Sequence, residues 1–226
     1  MNLARLMAVV ATTIALTTAN ACGPLPGKPL PSGRPEVPSQ VTNFGQLYSV
    51  NCAGCHGADG HFGAALPLNN PTYLALVDDA SMRNAIANGI TGTSMPAFAV
   101  SSGGMLTDEQ ITSIINGIRS QWGAGARLVE GTPPYAPSEV GDAAQGAKLV
   151  NQYCAACHVN GAEGAAGSVT DPSFLALYNN QSLRTLIIAG RPDLGHPGWN
   201  DYAKKPGLDS AQISDIVAWL AAQRRS

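Results

Sequence analysis

The stretch Cys52-Ala53-Gly54-Cys55-His56 is repeated 102 residues later as Cys154-Ala155-Ala156-Cys157-His158. The C-x-x-C-H pattern is typical of c-type haem attachment, because two thiols flanking a two-residue turn can each add to one vinyl group of a porphyrin. The histidine that follows is then held below the ring, where its imidazole can bind iron. The two copies therefore predict two covalently bound haem c groups on Cys52, Cys55, Cys154 and Cys157, with His56 and His158 as proximal iron ligands.

Other uses of paired cysteines fit the spacing less well. Two C-x-x-C pairs can form a four-cysteine zinc site, but such pairs usually lie within about 15–20 residues of each other. A single pair can be a dithiol redox centre, but that requires a βαβ context, and the sequence shows no alternation of strands and helices. Two matches among only five cysteines and four histidines favour haem.

The composition limits the classes of partner. The 226 residues have room for one large or two small domains. The net charge is −2 and no basic run is present, so nucleic acid is not expected as a partner. Aromatic residues make up only 6% of the chain, which suits a core whose apolar surface is partly supplied by porphyrin.

The amino-terminal residues have the features of an export signal. A short basic segment that ends at Arg5 precedes the apolar residues 6–16, which are too few to span a bilayer, and Ala19-Asn20-Ala21 has the A-x-A form of a cleavage site. We therefore predict a signal peptide at residues 1–21. Cys22 follows directly and resembles the lipidated cysteine of a bacterial lipobox, although Ala19 stands where that motif usually has leucine.

The number of cysteines favours lipidation of Cys22. Four cysteines are assigned to haem, and a free thiol in an oxidising compartment is a liability; the alternative is ordinary cleavage, with Cys22 as a spectator. Residues 23–40 contain six prolines, which predicts that residues 22–40 are a lipid-anchor cysteine and a polyproline tether. At about 3.1 Å per residue, the tether could extend ~55 Å.

The two halves of the chain are an internal repeat. Residues 71–76 (PTYLAL) match 172–177 (PSFLAL), and Gly89 matches Gly190. Both halves also end in a capping box followed by an apolar stripe at helical spacing, beginning at Thr107 and Asp209. The prediction is a first domain at residues 41–122, a Gly- and Pro-containing linker at 123–140, and a second domain at 141–226.

This pattern resembles the class I cytochrome c family twice over, across residues 41–226. The resemblance implies an all-α fold of two tandem domains, each with a helix before C-x-x-C-H, short middle helices and a C-terminal helix. In that family the first and last helices cross at a small residue on the first helix. Gly146 occupies that position in the second domain, whereas the first domain has Phe44 there and Gly45 beside it.

The resemblance also implies a second axial ligand, usually a methionine followed by proline. Met95-Pro96 matches it in the first domain, while Met82 is expected in the core and Met105 before the last helix. The second domain has no methionine, and His196-Pro197 stands at the equivalent position. His196 is therefore the candidate ligand of a bis-histidine haem; the alternative is a five-coordinate iron with His196 free in its loop.

Four further residues or segments carry weaker expectations. His61 is expected in a solvent-facing loop. Leu66-Pro67-Leu68 is the candidate for the family's proline, whose carbonyl accepts a hydrogen bond from the proximal imidazole, and Ser168 stands there in the second half. Arg83 and Arg184 recur at matching positions and could reach haem propionates, but exposed helical arginine is the favoured interpretation.

These expectations combine into one function. The chain is predicted to be an exported, lipid-anchored di-haem cytochrome that carries single electrons on the periplasmic side of the cytoplasmic membrane, without a small-molecule substrate. Family analogy gives the partners, a quinol-oxidising complex upstream and a soluble cytochrome or terminal oxidase downstream. The alternatives are a peroxidase-like di-haem enzyme and the cytochrome subunit of a dehydrogenase, either with an open haem in the second domain.

Overall fold

The computed structural model describes residues 35–158, 166–202 and 205–224. The predicted signal peptide, Cys22 and residues 23–34 of the predicted tether lie outside these ranges. At the described end of the tether, Pro38–Gln40 forms a 3-10 turn. None of the helices in the described ranges has the length and apolarity needed to cross a membrane.

The first half of the chain is helical. Helix α1 (Phe44–Asn51) leads into α2 (Ala53–His56), which carries the last four residues of the first pentapeptide, with Cys52 between the two helices. The middle helices are α3 (Pro71–Leu76) and α4 (Asp79–Asn88), and α5 (Asp108–Trp122) ends this half. Short 3-10 turns occur at Val100–Ser102 and Gly123–Gly125.

The second half repeats the arrangement. Helix α6 (Ala143–Tyr153) precedes the second pentapeptide, which forms a turn rather than a regular helix. The middle helices are α7 (Pro172–Leu177) and α8 (Asn180–Ala189), followed by a 3-10 turn at Pro192–Leu194 and by α9 (Ser210–Ala222). In the described part of the chain, extended pairing is limited to two isolated bridges, Ala99 with Leu106 and Arg191 with His196. The predicted all-α class is confirmed.

Side-chain caps explain where the helices begin. Thr107 and Asp209 form the two predicted capping boxes, with Gln110 and Gln212 bonding back to the cap backbone. Asp142 accepts hydrogen bonds from the first turn of α6. Each cap satisfies backbone N–H groups that have no partner within the helix, so local sequence fixes the start of α5, α6 and α9.

The small residue at the crossing of the first and last helices lies on the first helix in one half and on the last helix in the other. In the second half a Cβ on Gly146 would lie 2.1 Å from the Asp215 carbonyl oxygen and 2.8 Å from Cβ of Trp219, so α6 and α9 touch through this glycine. In the first half the small residue is on the last helix, since a Cβ on Gly117 would lie 2.1 Å from the Phe44 ring. Gly117 aligns with Trp219 and Phe44 with Gly146, so the bulky and small residues have exchanged helices.

Each half has its own apolar core. The first is built around Ile111, Ile114 and Ile118 of α5, and the second around Ile213, Ile216 and Leu208, all less than 2% exposed. Both halves belong to one compact unit, Ser39–Ser226. Contacts between α3 and α8 join the two halves, so the sites they carry lie in one continuous structure.

Candidate haem sites

The first pentapeptide lines an apolar cavity together with the predicted distal methionine. Cys52, Cys55, His56 and Met95 all border a cavity of about 210 Å³. Its other walls include core side chains of the first half, namely Leu68, Met82, Ile86, Phe98, Ile114 and Ile118. We call the four residues Cys52, Cys55, His56 and Met95 site 1.

The His56 ring is oriented by a backbone carbonyl. Its Nδ1 lies 2.8 Å from the Leu66 carbonyl oxygen, and since a carbonyl only accepts, Nδ1–H donates. This fixes the tautomer and leaves Nε2 with a lone pair for a metal, as is typical of ligating histidines. Burial lowers the pKa of His56, which keeps the imidazole neutral and able to coordinate. The acceptor is Leu66 rather than Pro67, a correction by one residue.

Met95 borders the cavity of His56 from a loop, as the sequence analysis expects of a distal ligand. It lies in the loop after α4, where Ile90 N–H donates to the Met95 carbonyl at 3.1 Å. Gly89 has a φ of 69° and a Cβ there would meet the Met95 carbonyl oxygen at 2.8 Å, so the tight approach requires glycine. Met105 is 81% exposed, whereas Met82 is buried in the core at 3% exposure, as expected, and also borders the cavity.

The second pentapeptide faces His196. The rings of His158 and His196 have centroids 5.9 Å apart with 52° between their planes. Two imidazole–metal bonds of about 2 Å, with each ring centre roughly 1 Å behind its nitrogen, span a similar distance. Both rings border two adjoining cavities of about 820 and 490 Å³, together with Cys154. We call Cys154, Cys157, His158 and His196 site 2.

His158 has the same kind of backbone partner as His56. Its Nδ1 lies 2.8 Å from the Gly167 carbonyl oxygen, so Nδ1–H donates and Nε2 is left with a lone pair for a metal. Gly167 aligns with Leu66 when Ser168 is aligned with Pro67, so in both halves the acceptor is the residue before the position that the sequence analysis singled out.

The loop that carries His196 copies the loop of Met95. Arg191 N–H donates to the His196 carbonyl at 3.1 Å, and His196 N–H donates to the Arg191 carbonyl at 2.9 Å. Gly190, with a φ of 68°, lets the backbone approach, since a Cβ there would meet the His196 carbonyl oxygen at 2.8 Å. The histidine thus occupies the place of the methionine.

The state of the His196 side chain fits a ligand role. Its Nδ1 is buried without a hydrogen-bond partner, and such groups are rare in folded proteins unless a function explains them. Burial, and secondarily the neighbouring His158, lower the pKa of His196. A neutral imidazole aimed at a second imidazole suits a metal between them better than it suits a solvated loop residue.

One thiol of each pentapeptide has properties unlike those of a reactive cysteine. Burial raises the pKa of both Cys52 and Cys154 to about 11, whereas reactive cysteines have lowered pKa values. In the described residues no group of three or more histidine, cysteine or acidic side chains is arranged to hold a metal ion.

One expectation about the recurring arginines needs correction. Arg184 is buried, with 2% of its surface exposed, and its guanidinium donates to the carbonyls of Pro134 and Tyr135 and to the hydroxyl groups of Ser210 and Ser214. It therefore holds the linker against α9. His61 lies in a loop and is partly exposed, and its Nδ1 lies 2.8 Å from Asn69 Nδ2.

The contact between the two halves was not anticipated from sequence. Tyr178 Oη donates to the Ala64 carbonyl at 2.9 Å, and Asn70 Nδ2 donates to the Ala189 carbonyl at 3.0 Å. Asn70 also caps α3 through its Oδ1. The residue aligned with it, Asp171, caps α7 in the same way, but its carboxylate side chain has no N–H to donate. These contacts place the loop that follows His56 beside site 2.

The fold and the two sites define a di-haem cytochrome c. The family profile described as "Cytochrome C oxidase, cbb3-type, subunit III" matches residues 39–116 and again 141–220. The chain belongs to this family, and it binds two covalently attached haem c groups.

Individual relatives agree with this assignment. The chain is 30% identical over 193 residues to the cbb3-type cytochrome c oxidase subunit CcoP of Azospirillum sp. (strain B510), covering 76% of this chain and 58% of the relative. It is 27% identical over 185 residues to the subunit FixP of Bradyrhizobium diazoefficiens, covering 77% and 58%. A shorter match, 36% identical over 53 residues, is to the cytochrome subunit of sulfide dehydrogenase of Chlorobaculum tepidum, covering 21% and 48%. The chain thus spans under two thirds of these relatives' lengths.

Proposed function

We propose that this protein carries single electrons between redox proteins, with unlike ligation at its two sites. Cys52 and Cys55 bind one haem covalently, with His56 and Met95 as iron ligands. Cys154 and Cys157 bind the other, with His158 and His196 as ligands. The observation that carries the proposal is the pairing of each proximal histidine with a distal donor, Met95 in the cavity of His56 and His196 5.9 Å from His158.

The ligands set the direction of transfer. Bound haem iron supplies one-electron chemistry by alternating between the ferric and ferrous states. The thioether of Met95 is a weak, neutral donor that favours the reduced state and raises the reduction potential of site 1. The imidazole of His196 donates more strongly, so site 2 has the lower potential. With haem bound at both sites, transfer of an electron from site 2 to site 1 would therefore be downhill.

The surroundings of site 1 restrict its chemistry to electron transfer. With Met95 bound to the iron, the haem of site 1 would have no open position for an exogenous ligand, and the cavity walls are mainly apolar. Near His196, the side chains of Arg191 and Asp193 bind each other and are each less than 9% exposed, so they do not serve as an acid–base pair. This arrangement supports an electron carrier over a peroxidase.

Location and partners complete the proposal. We infer export to the periplasmic side, a lipid anchor at Cys22 and a tether that ends at residue 40, followed by domains at 41–122 and 141–226. The similarity to CcoP and FixP supports a terminal oxidase as the acceptor of electrons. A soluble cytochrome is the alternative acceptor, and a quinol-oxidising complex is the donor. The similarity to a sulfide dehydrogenase subunit supports a dehydrogenase as a second candidate donor.

A spectroscopic redox titration tests the proposal. We expect two low-spin haems, with a methionine–ferric charge-transfer band only at the higher-potential one. Met95→Ala should abolish that band, and Met105→Ala, at a methionine that is 81% exposed, should leave it intact. A high-spin, carbon monoxide-binding haem in the unmodified protein would contradict the carrier and favour an enzyme with an open site 2.

A further inference from the structure

One ion pair joins the loops of both sites. Arg191 Nη2 and Asp193 Oδ2 are 2.8 Å apart, and the two side chains are 8% and 6% exposed. Arg191 Nε donates to the other carboxylate oxygen at 3.0 Å, so the pair is bidentate and geometrically fixed. A buried pair of this kind is poor evidence for stability, because desolvation offsets the attraction, so a positioning role must rest on its other contacts.

On the side of site 1, the pair binds the loop that packs on the first pentapeptide. Arg191 Nη2 donates to the Gly63 carbonyl at 2.9 Å, and Phe62 N–H donates to Asp193 Oδ2 at 2.9 Å. Gly63 touches the pentapeptide itself, since a Cβ there would lie 2.2 Å from the Cys55 carbonyl oxygen. Three residues further on, Leu66 supplies the carbonyl that orients His56.

On the side of site 2, the same arginine holds the distal histidine. The Arg191 backbone makes both hydrogen bonds of the bridge to His196. The same residue therefore contacts the loop after His56 through its guanidinium and the loop of His196 through its backbone.

Comparison of the two repeats shows that the ion pair is specific to the second half. Arg191 aligns with Ile90 and Asp193 with Gly92, on the basis of the Gly89–Gly190 match. Neither residue of the first half carries a charge. The ion pair is therefore not a general requirement of the distal loop. Within the second half it also interacts with Tyr178, and its hydrogen bonds to the first half are with residues 62–63.

We propose that Arg191 and Asp193 are positioning residues that couple the two haem sites, setting the reduction potentials of both. Arg191 stabilises the reduced, more negative state of each site through its positive charge, and Asp193 opposes this. The inference rests on the proposed ligation of the two sites.

The test uses opposite charge changes in the haem-loaded protein. Arg191→Gln leaves Asp193 uncompensated, so the midpoint potentials of both sites should fall; Asp193→Asn leaves Arg191 uncompensated, so both should rise. We expect a change of about fivefold in each equilibrium constant for one-electron reduction, which is about 40 mV at 59 mV per tenfold. The control is Arg83→Gln on α4, whose guanidinium donates to Thr112; it should shift neither site.

The outcomes separate a coupling role from a structural one. Shifts of opposite sign in the two variants, felt at both sites, support the proposal. Shifts of the same sign, a shift confined to one site, or only a lower melting temperature would overturn it. Low-spin spectra of the unmodified protein are recorded first, so that failure of the proposed ligation is recognised separately.

Discussion

The exchanged helix crossing gives a quantitative prediction about the first half. Gly117→Trp forces a Cβ to within 2.1 Å of the Phe44 ring, and overpacking of this severity costs about 3 kcal/mol of unfolding free energy. Phe44→Gly removes a half-buried ring that packs on Tyr48 and Trp122, which costs about 3 kcal/mol. The double variant recreates the pairing of Gly146 with Trp219 that the second half already uses.

The two single variants should therefore not be additive. Independent effects would sum to about 6 kcal/mol, whereas the double variant should lose only about 3 kcal/mol, a favourable coupling of about 3 kcal/mol. The assay is guanidinium denaturation of the haem-loaded protein, followed at the methionine–ferric charge-transfer band, which reports site 1. Gly123→Ala is the control, since a Cβ there meets nothing within 4 Å. If the loss of unfolding free energy in the double variant equalled the sum of the two single losses, the proposed exchange of bulky and small residues between the helices would be refuted.

Three further predictions concern single residues. Arg184→Met should lower the unfolding free energy by about 3 kcal/mol in denaturant melts, because it leaves buried acceptors without donors. The control Arg83→Met, at a partly exposed arginine, should cost under about 1 kcal/mol. Equal losses in the two variants would contradict a structural role for the buried guanidinium of Arg184. His196→Met should raise the midpoint potential of site 2 alone, since thioether replaces imidazole; an unchanged potential in a redox titration would remove His196 as ligand. The hydrogen bond from Arg191 lowers the pKa of Asp193, so the contribution of the Asp193 carboxylate to stability is complete above the unfolded pKa of about 3.9 and is lost as pH falls through the folded pKa. The melting temperature of Asp193→Asn should therefore fall less steeply from pH 6 to pH 2 than that of the unmodified protein. Parallel curves of melting temperature against pH would exclude a contribution from Asp193.

Local features of the fold were predictable because local chemistry determines them. The capping boxes at Thr107 and Asp209 need only a side chain and the first turn of its own helix. The distal loops follow from the repeat, since Gly89 and Gly190 both permit a backbone approach that a side chain would block. His196 could be predicted to stand where Met95 stands for the same reason.

The remaining features depend on contacts between distant segments. Arg184 and Arg83 align in sequence, but only Arg184 has the linker carbonyls of Pro134 and Tyr135 above it. Gly117 has meaning only beside Phe44, which lies on another helix. The coupling of Arg191 to Gly63 joins residues 128 positions apart. Proposing any of these contacts from sequence would require knowing which distant residue lies opposite, which the alignment of the two halves alone does not give.

The most direct test of the account is mass spectrometry of proteolytic fragments of the exported protein under denaturing conditions. The account predicts that the fragment with Cys52 and Cys55 and the fragment with Cys154 and Cys157 each retain the mass of one haem. A haem released from either fragment, or a fragment with two free thiols, would contradict it.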